Sequence, residues 1–194
     1  LSEEQSVPSV KLTILEGYGP DDKQRLGTAL TGAVRQVIPA DPDLVTVTIE
    51  ELGIQDYYRG GKTRRPAAAR PDPADIVKGF LAALEDRDLA RAQSFLSDGA
   101  ILTFPATAPM SGLDEVIAWA RPRYKSVSKT FEGFDVVMGV GDEVIVYCRG
   151  TLQGLNHDGT MFEGVRFIDR FEVTHDIISK QDVWNDMGET RMLG

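Results

Sequence analysis

The stretch Val165-Arg166-Phe167-Ile168-Asp169-Arg170-Phe171-Glu172-Val173 (VRFIDRFEV) decides how the larger, C-terminal part of this chain folds. Alternation places Val165, Phe167, Phe171 and Val173 on one face of a strand, and Arg166, Arg170 and Glu172 on the other. Asp169 falls on the apolar face. A carboxylate among buried aromatics is costly unless it is paired, hydrogen-bonded or protonated. Asp169 is therefore the first candidate functional residue.

Two more long strands flank this one. DEVIVYCRGTLQG (142–154) precedes it and IISKQDVWNDM (177–187) follows, separated by the turn sequences NHDG and THD. Cys148 shares parity with Val144 and Val146 and is expected to be buried on the inward face, with Tyr147 and Arg149 on the opposite one. Upstream, Asp72 is placed to cap a helix with Pro73 at its first position, and Ile76, Val77, Phe80, Leu81 and Leu84 form the apolar stripe. A short helix with Leu89, Ala92, Phe95 and Leu96 comes next, then a strand in AILTF (100–104). A third helix opens at Ser111–Asp114 in the manner of a capping box and ends near Pro122. Helices followed by an antiparallel sheet define an α+β domain over residues 74–194.

Residues 59–73, RGGKTRRPAAARPDP, carry five positive charges, three prolines and two glycines with no acid before Asp72. Such a run cannot bury a face, and it separates the domains as a surface linker over 62–73; a polyanion-binding patch is the weaker alternative. In residues 1–61, PSVKLTILEG alternates as a strand. PDDKQRLGTALTGAVRQVI has helical apolar spacing, and LVTVTIEEL is a second strand. That order implies a parallel pair with a right-handed crossover. The Gly17-Tyr18-Gly19 turn has Asp22 where a dinucleotide loop needs a small residue, so it is a plain turn.

Composition narrows the function. With 42% hydrophobic and 26% charged residues the chain is an ordinary globular protein, and its net charge of −9 argues against nucleic acid as a partner. The one cysteine excludes an internal disulfide and suits a reducing cytoplasm; no apolar run has membrane-span length, and LSEEQSV lacks a signal-peptide core. His157 and His175 both sit in turn sequences, so neither a metal site nor a Ser-His-Asp arrangement is expected.

Residues 8–61 resemble the 4-oxalocrotonate tautomerase family, through Pro8 opening the first strand, ILEG (14–17), Val45–Glu51, Tyr57 and Gly60-Gly61. In that family an N-terminal proline amine is the general base and two arginines bind substrate carboxylates. Pro8 and Tyr57 occupy the proline and aromatic positions here, but Tyr18 and Thr46 stand where the arginines would be. Pro8 also follows Val7, so its nitrogen is an amide without a basic lone pair. The resemblance thus implies a catalytically silent scaffold, and the family's dimers grouped into trimers imply a homo-oligomer.

Residues 72–190 resemble the SnoaL-like polyketide cyclases, within the cone-shaped fold shared with nuclear transport factor 2 and ketosteroid isomerase. The matching segments are FLAALEDRDL, FLSDGAIL, the Ser111-Gly112 helix start, GDEVIVYCRG and VWND. The resemblance implies an apolar pocket holding one or two acids. Phe167–Asp169 matches the isomerase strand whose aspartic acid hydrogen-bonds the developing enolate. Phe104 and Phe80 replace that enzyme's base and oxyanion tyrosine, which argues against steroid isomerisation. Trp184 and Asp186 match the spacing in limonene epoxide hydrolases, whose Arg-x-Asp has no counterpart in YCRGT.

Together these features predict a cofactor-independent acid/base enzyme of cyclase or isomerase type acting on a small apolar, polyketide-like or terpenoid-like substrate. Asp169 is the expected general acid/base, since desolvation raises a buried acid toward neutrality, with Asp186 as a second polar group. Phe80, Phe104, Cys148 and Trp184 are the expected pocket wall. Two other functions fit the same residues: a noncatalytic ligand-binding or assembly protein, and an active tautomerase if the chain is processed before Pro8. Isologous contacts in both domains plus a three-fold in the first close most simply as a D3 hexamer, with a dimer as the fallback.

Overall fold

Seven residues with alternating apolar side chains make β1 (Ser9–Leu15), and helix α1 (Pro20–Arg35) carries the chain back to β2 (Thr46–Leu52). The computed structural model describes residues 7–188, and the chain divides into two compact units, Leu1–Arg70 and Pro71–Gly194. In the first unit β1 and β2 pair in parallel from Ser9↔Thr46 to Leu15↔Leu52, as the strand–helix–strand order requires. Pro20 starts α1, and the Asp22 carboxylate accepts the Gly19 N–H at 3.1 Å.

Part of the basic segment read as unstructured is ordered. β3 (Tyr58–Arg59) and β4 (Lys62–Thr63) form a tight hairpin through Gly60-Gly61, whose φ of 61° and 73° suit a two-residue turn. Among the described residues of this unit none is fully buried, because two strands and one helix cannot enclose a core.

The second unit holds α2 (Pro73–Glu85), α3 (Leu89–Gln93), β5 (Leu96–Thr103), α4 (Leu113–Ala120), β6 (Ser126–Met138), β7 (Glu143–Leu155), β8 (Met161–Thr174) and β9 (Ile177–Asn185). Asp72 caps α2 as expected, accepting the Ala74 N–H at 2.9 Å. At α4 the cap residue is Gly112, and the Ser111 hydroxyl donates to Glu115 at 2.9 Å instead. The sheet order is β5-β9-β8-β7-β6.

Two features correct the expected antiparallel sheet. First, β5 pairs with β9 in parallel, which makes the sheet mixed. No hairpin joins those strands; the connection leaving β5 passes through α4 and three further strands, so antiparallel pairing is not imposed. Second, β6 is a full 13-residue strand along β7, although the alternation in SVSKTFEGFDVVM breaks. The break is a bulge between Phe131 and Gly133, opposite Gly150. There the two backbones approach so closely that a Cβ on Gly150 would lie 2.0 Å from the Thr130 carbonyl oxygen. Glycine permits this approach, and the bulge bends the sheet.

The helices cover the inner face. Val77, Phe80 and Leu81 of α2 join Val146, Cys148, Phe167, Phe171 and Ile178 in one buried cluster, with Phe80 edge-on to Phe171 at 6.0 Å. Among the described residues only Asp169 and Gln181 are buried and polar. No described helix is long and apolar enough to cross a membrane.

Candidate functional site

Asp169 lies in the middle of β8, opposite Cys148 on β7 and Val183 on β9, and its exposure is 0%. The alternation of VRFIDRFEV therefore holds in three dimensions. Two side chains reach the carboxylate. Lys129 Nζ, from β6, forms an ion pair with Oδ2. Gln181 Nε2, from β9, donates to the same oxygen at 3.1 Å.

Lys129 also sits 4.3 Å above the Phe167 ring, which in turn packs against Phe131 at 5.9 Å. Its side chain is 21% exposed, so the ammonium links a closed carboxylate to the surface. The second carboxylate oxygen, Oδ1, and the Gln181 carbonyl Oε1 are buried without a hydrogen-bond partner. Rotating the Gln181 amide would set an oxygen against the carboxylate, so the donor orientation toward Asp169 is the chemically consistent one. Two adjacent acceptors thus remain unsatisfied in an apolar setting. An unmade bond of this kind costs about 1–3 kcal/mol and suits a site whose ligand brings a donor.

The sequence carries a faint signal for both residues: Lys129 shares parity with Val127 and Phe131, and Gln181 stands two residues before Val183. The bulge between Phe131 and Gly133 breaks the period of β6 and hides the first.

Cys148 is buried beside Asp169, on the inward face. Burial first, and then the negative charge of Asp169, push its thiol up to about 12. It stays a neutral thiol at physiological pH and supplies no nucleophile. Native protein at pH 8 should therefore resist iodoacetamide over hours while urea-unfolded protein is alkylated within minutes. Rapid alkylation of the native form, followed by mass spectrometry, would show that the inner face opens far more freely than this packing allows.

The remaining predicted site residues separate. Phe80 is in the central core against Phe171, and Phe104 packs on Trp119 at 4.8 Å, in an aromatic row continued by Tyr124 and Phe162. Trp184 does not face the inner side. It pairs with Ile168 on the outer face and is 51% exposed, because Val183 takes the inward parity on β9. Asp186 is likewise corrected: it receives Arg166 Nε at 2.6 Å on a half-exposed carboxylate, an outer-face pair apart from Asp169. His157 and His175 are exposed, the former 2.7 Å from the Arg121 carbonyl oxygen.

A surface groove of about 480 Å³ between α3 and the start of α4, bordered by Gln93, Ser111 and Asp114, shares no residue with the Asp169 surroundings. Among the described residues no cluster of His, Cys, Asp and Glu is placed to hold a metal ion.

This mixed, curved sheet with helices on its inner face is the nuclear transport factor 2-like fold. The chain belongs to the SnoaL-like domain family, whose pattern matches residues 77–180, more than half of the sequence and a span that includes Lys129 and Asp169. The match takes in none of the N-terminal unit.

Solved structures agree at the level of fold. An NTF2-like protein of unknown function from Burkholderia pseudomallei is 18% identical with a TM-score of 0.52, covering 62% of this chain and 95% of that one. TerC, co-crystallised with polyporic acid, is 16% identical with a TM-score of 0.52 over 62% of this chain and 96% of its own. A hexachlorocyclohexane dehydrochlorinase of the LinA type from Novosphingobium barchaimii is 16% identical with a TM-score of 0.53, over 58% and 83%. A search of curated protein sequences found no match.

Proposed function

We propose that the second unit is a cofactor-independent acid/base enzyme of cyclase or isomerase type, acting on a small apolar substrate of polyketide-like or terpenoid-like character. One observation carries this reading. Asp169 is fully enclosed among apolar side chains, yet one of its oxygens and the neighbouring Gln181 carbonyl have no donor. A substrate enol or phenol hydroxyl donates its one proton to the open carboxylate oxygen, and a second donor on the substrate meets the Gln181 carbonyl. Lys129 neutralises the charge that the carboxylate leaves or gains, so proton transfer need not create an isolated buried ion. Entry follows the Lys129 side, the partly exposed edge of the network. Asp169 is the catalytic residue, and Lys129 and Gln181 position it. The fold shared with a dehydrochlorinase supports proton-transfer chemistry only as analogy.

A test that needs no knowledge of the natural substrate is the exchange of an acidic C–H. The protein should accelerate deuterium incorporation into 2-acetyl-1-tetralone in D2O, followed by proton NMR, by at least tenfold over buffer. No acceleration with this compound or with 2-acetylcyclohexanone sinks the acid/base reading and favours a noncatalytic ligand-binding protein.

The N-terminal unit is proposed as the scaffold, tautomerase-like and without the amine base, since the Pro8 nitrogen is acylated by Val7. Self-association is part of the same proposal. The outer sheet face brings together Ile168 (40% exposed) and Trp184 (51%), with Tyr147 and Arg149 alongside. Its charges are largely paired among themselves, as in Lys180 with Asp182 at 3.0 Å, which leaves an aromatic and aliphatic strip of interface character. Light scattering should give a dimer at least, and a hexamer if the first unit adds a three-fold contact. A monomer at micromolar concentration excludes this use of the face.

A further inference from the structure

The five-stranded sheet has a bare edge at β6, and among the described residues no strand pairs with the far side of that strand. Its earlier part is guarded as exposed edges usually are, by the bulge between Phe131 and Gly133 and by charges at Lys129, Glu132 and Asp135. The last stretch, Val136-Val137-Met138-Gly139-Val140, runs into the turn before β7 with no charge and no proline. Val136 and Val137 are about half exposed, Met138 is 69% exposed and Val140 91%. A long edge that ends in unguarded apolar residues is a template for another strand.

Register decides which backbone groups face outward. The Gly139 N–H donates to the Glu143 carbonyl at 2.9 Å, so these two residues form a hydrogen-bonded pair. Antiparallel pairs alternate, which makes Val137 and Ile145 the next bonded pair and leaves Met138–Val144 and Val136–Val146 unbonded. The N–H and C=O groups of Val136 and Met138 therefore point away from β7, into the open edge. Their side chains lie on the inner face, opposite buried Val146 and Val144, while Val137 lies on the outer face opposite Ile145.

A two-fold axis through Val137 satisfies this edge with itself. When two copies pair antiparallel about that axis, Val136 of each faces Met138 of the other, and each such pair exchanges both of its bonds. The two Val137 side chains meet on the axis, and Val136 packs beside Met138 on the inner face. Asp135, already paired with Arg149, comes opposite Gly139, so no like charges face one another along residues 135–139. A charged strand from another protein finds no countercharge on residues 136–140, which favours a second copy as the occupant. We propose that the end of β6 joins two copies of this chain edge to edge in one continuous sheet. The contact is separate from the outer face bearing Ile168 and Trp184, and it does not depend on the acid/base assignment. Its short length puts it at the small end of interface sizes, so the pair dissociates on dilution.

Two measurements on the full chain test the pairing. Val137→Cys sets a thiol on the axis against its own copy, while the native Cys148 stays buried. Under copper-phenanthroline this variant should form a disulfide-linked dimer at least tenfold faster than Val140→Cys, which is more exposed but off the axis. Sedimentation velocity is then run in a Trp184→Lys background, which removes any outer-face association. There Val137→Lys and Val137→Glu should each weaken association at least tenfold, and an equimolar mixture of the two should restore it. Val137 is half exposed, so circular dichroism should show the fold of each variant unchanged. The assignment is overturned if Val137→Cys crosslinks no faster than Val140→Cys, or if the Trp184→Lys protein is monomeric at hundreds of micromolar. It is equally overturned if Val137→Lys associates as its background does, or if the mixed variants stay apart.

Discussion

Asp169→Asn removes the catalysed part of the C–H exchange and returns the rate to that of buffer, because a positioned general acid or base supplies about 100- to 10,000-fold. The amide keeps the volume of the acid and can still meet Gln181, but it does not transfer a proton near neutral pH. Lys129 loses its countercharge in this variant. Because its side chain reaches solvent, the ammonium can be hydrated, and the fold should survive. Circular dichroism and the exchange assay on the same sample separate the outcomes. A folded variant with parental exchange rates removes Asp169 from catalysis. An unfolded one identifies the carboxylate as a structural countercharge.

Lys129→Met destabilises the protein by about 3 kcal/mol, the lower end of what stripping the partner from a buried charge costs. The lower end applies because the pair is not sealed on the lysine side. The double variant Lys129→Met with Asp169→Leu should recover most of that loss, since removing both polar partners leaves nothing buried and unpaired. Urea unfolding of the two variants beside the parent measures both effects. A single-variant loss below about 1 kcal/mol would show that the ion pair behaves like an ordinary surface contact and does not hold Asp169 in place.

Legibility followed the period of the sequence. β8 and β7 alternate without interruption across their central residues, so their buried faces are readable, and with them Asp169 and Cys148. The parallel β1–β2 pair was readable too, because a helix between two short strands leaves few other connections. β6 was lost where the bulge at Phe131–Gly133 shifts the parity of Phe134 relative to Lys129, and Lys129 was lost with it. Its partner strand shows why the bulge is there, but only through the contact of Gly150 with Thr130, 20 positions earlier in the chain.

For β9 the parity was right and the direction was not. In QDVWNDM either face could point inward by composition: Val183 and Met187 on one side, Trp184 with two acids on the other. The larger aromatic ended outside, paired with Ile168, because the register with β8 sets Val183 opposite Asp169. Local alternation fixes which residues travel together, since it is a property of the pleat. Which set turns inward is fixed by hydrogen-bond register with a neighbouring strand, as a shift of one residue exchanges the faces. Alternation alone thus sets Asp169 on a face with phenylalanines. Strand register brings Lys129 and Gln181, 40 and 12 positions away, to it there, and turns Asp186 to the other side.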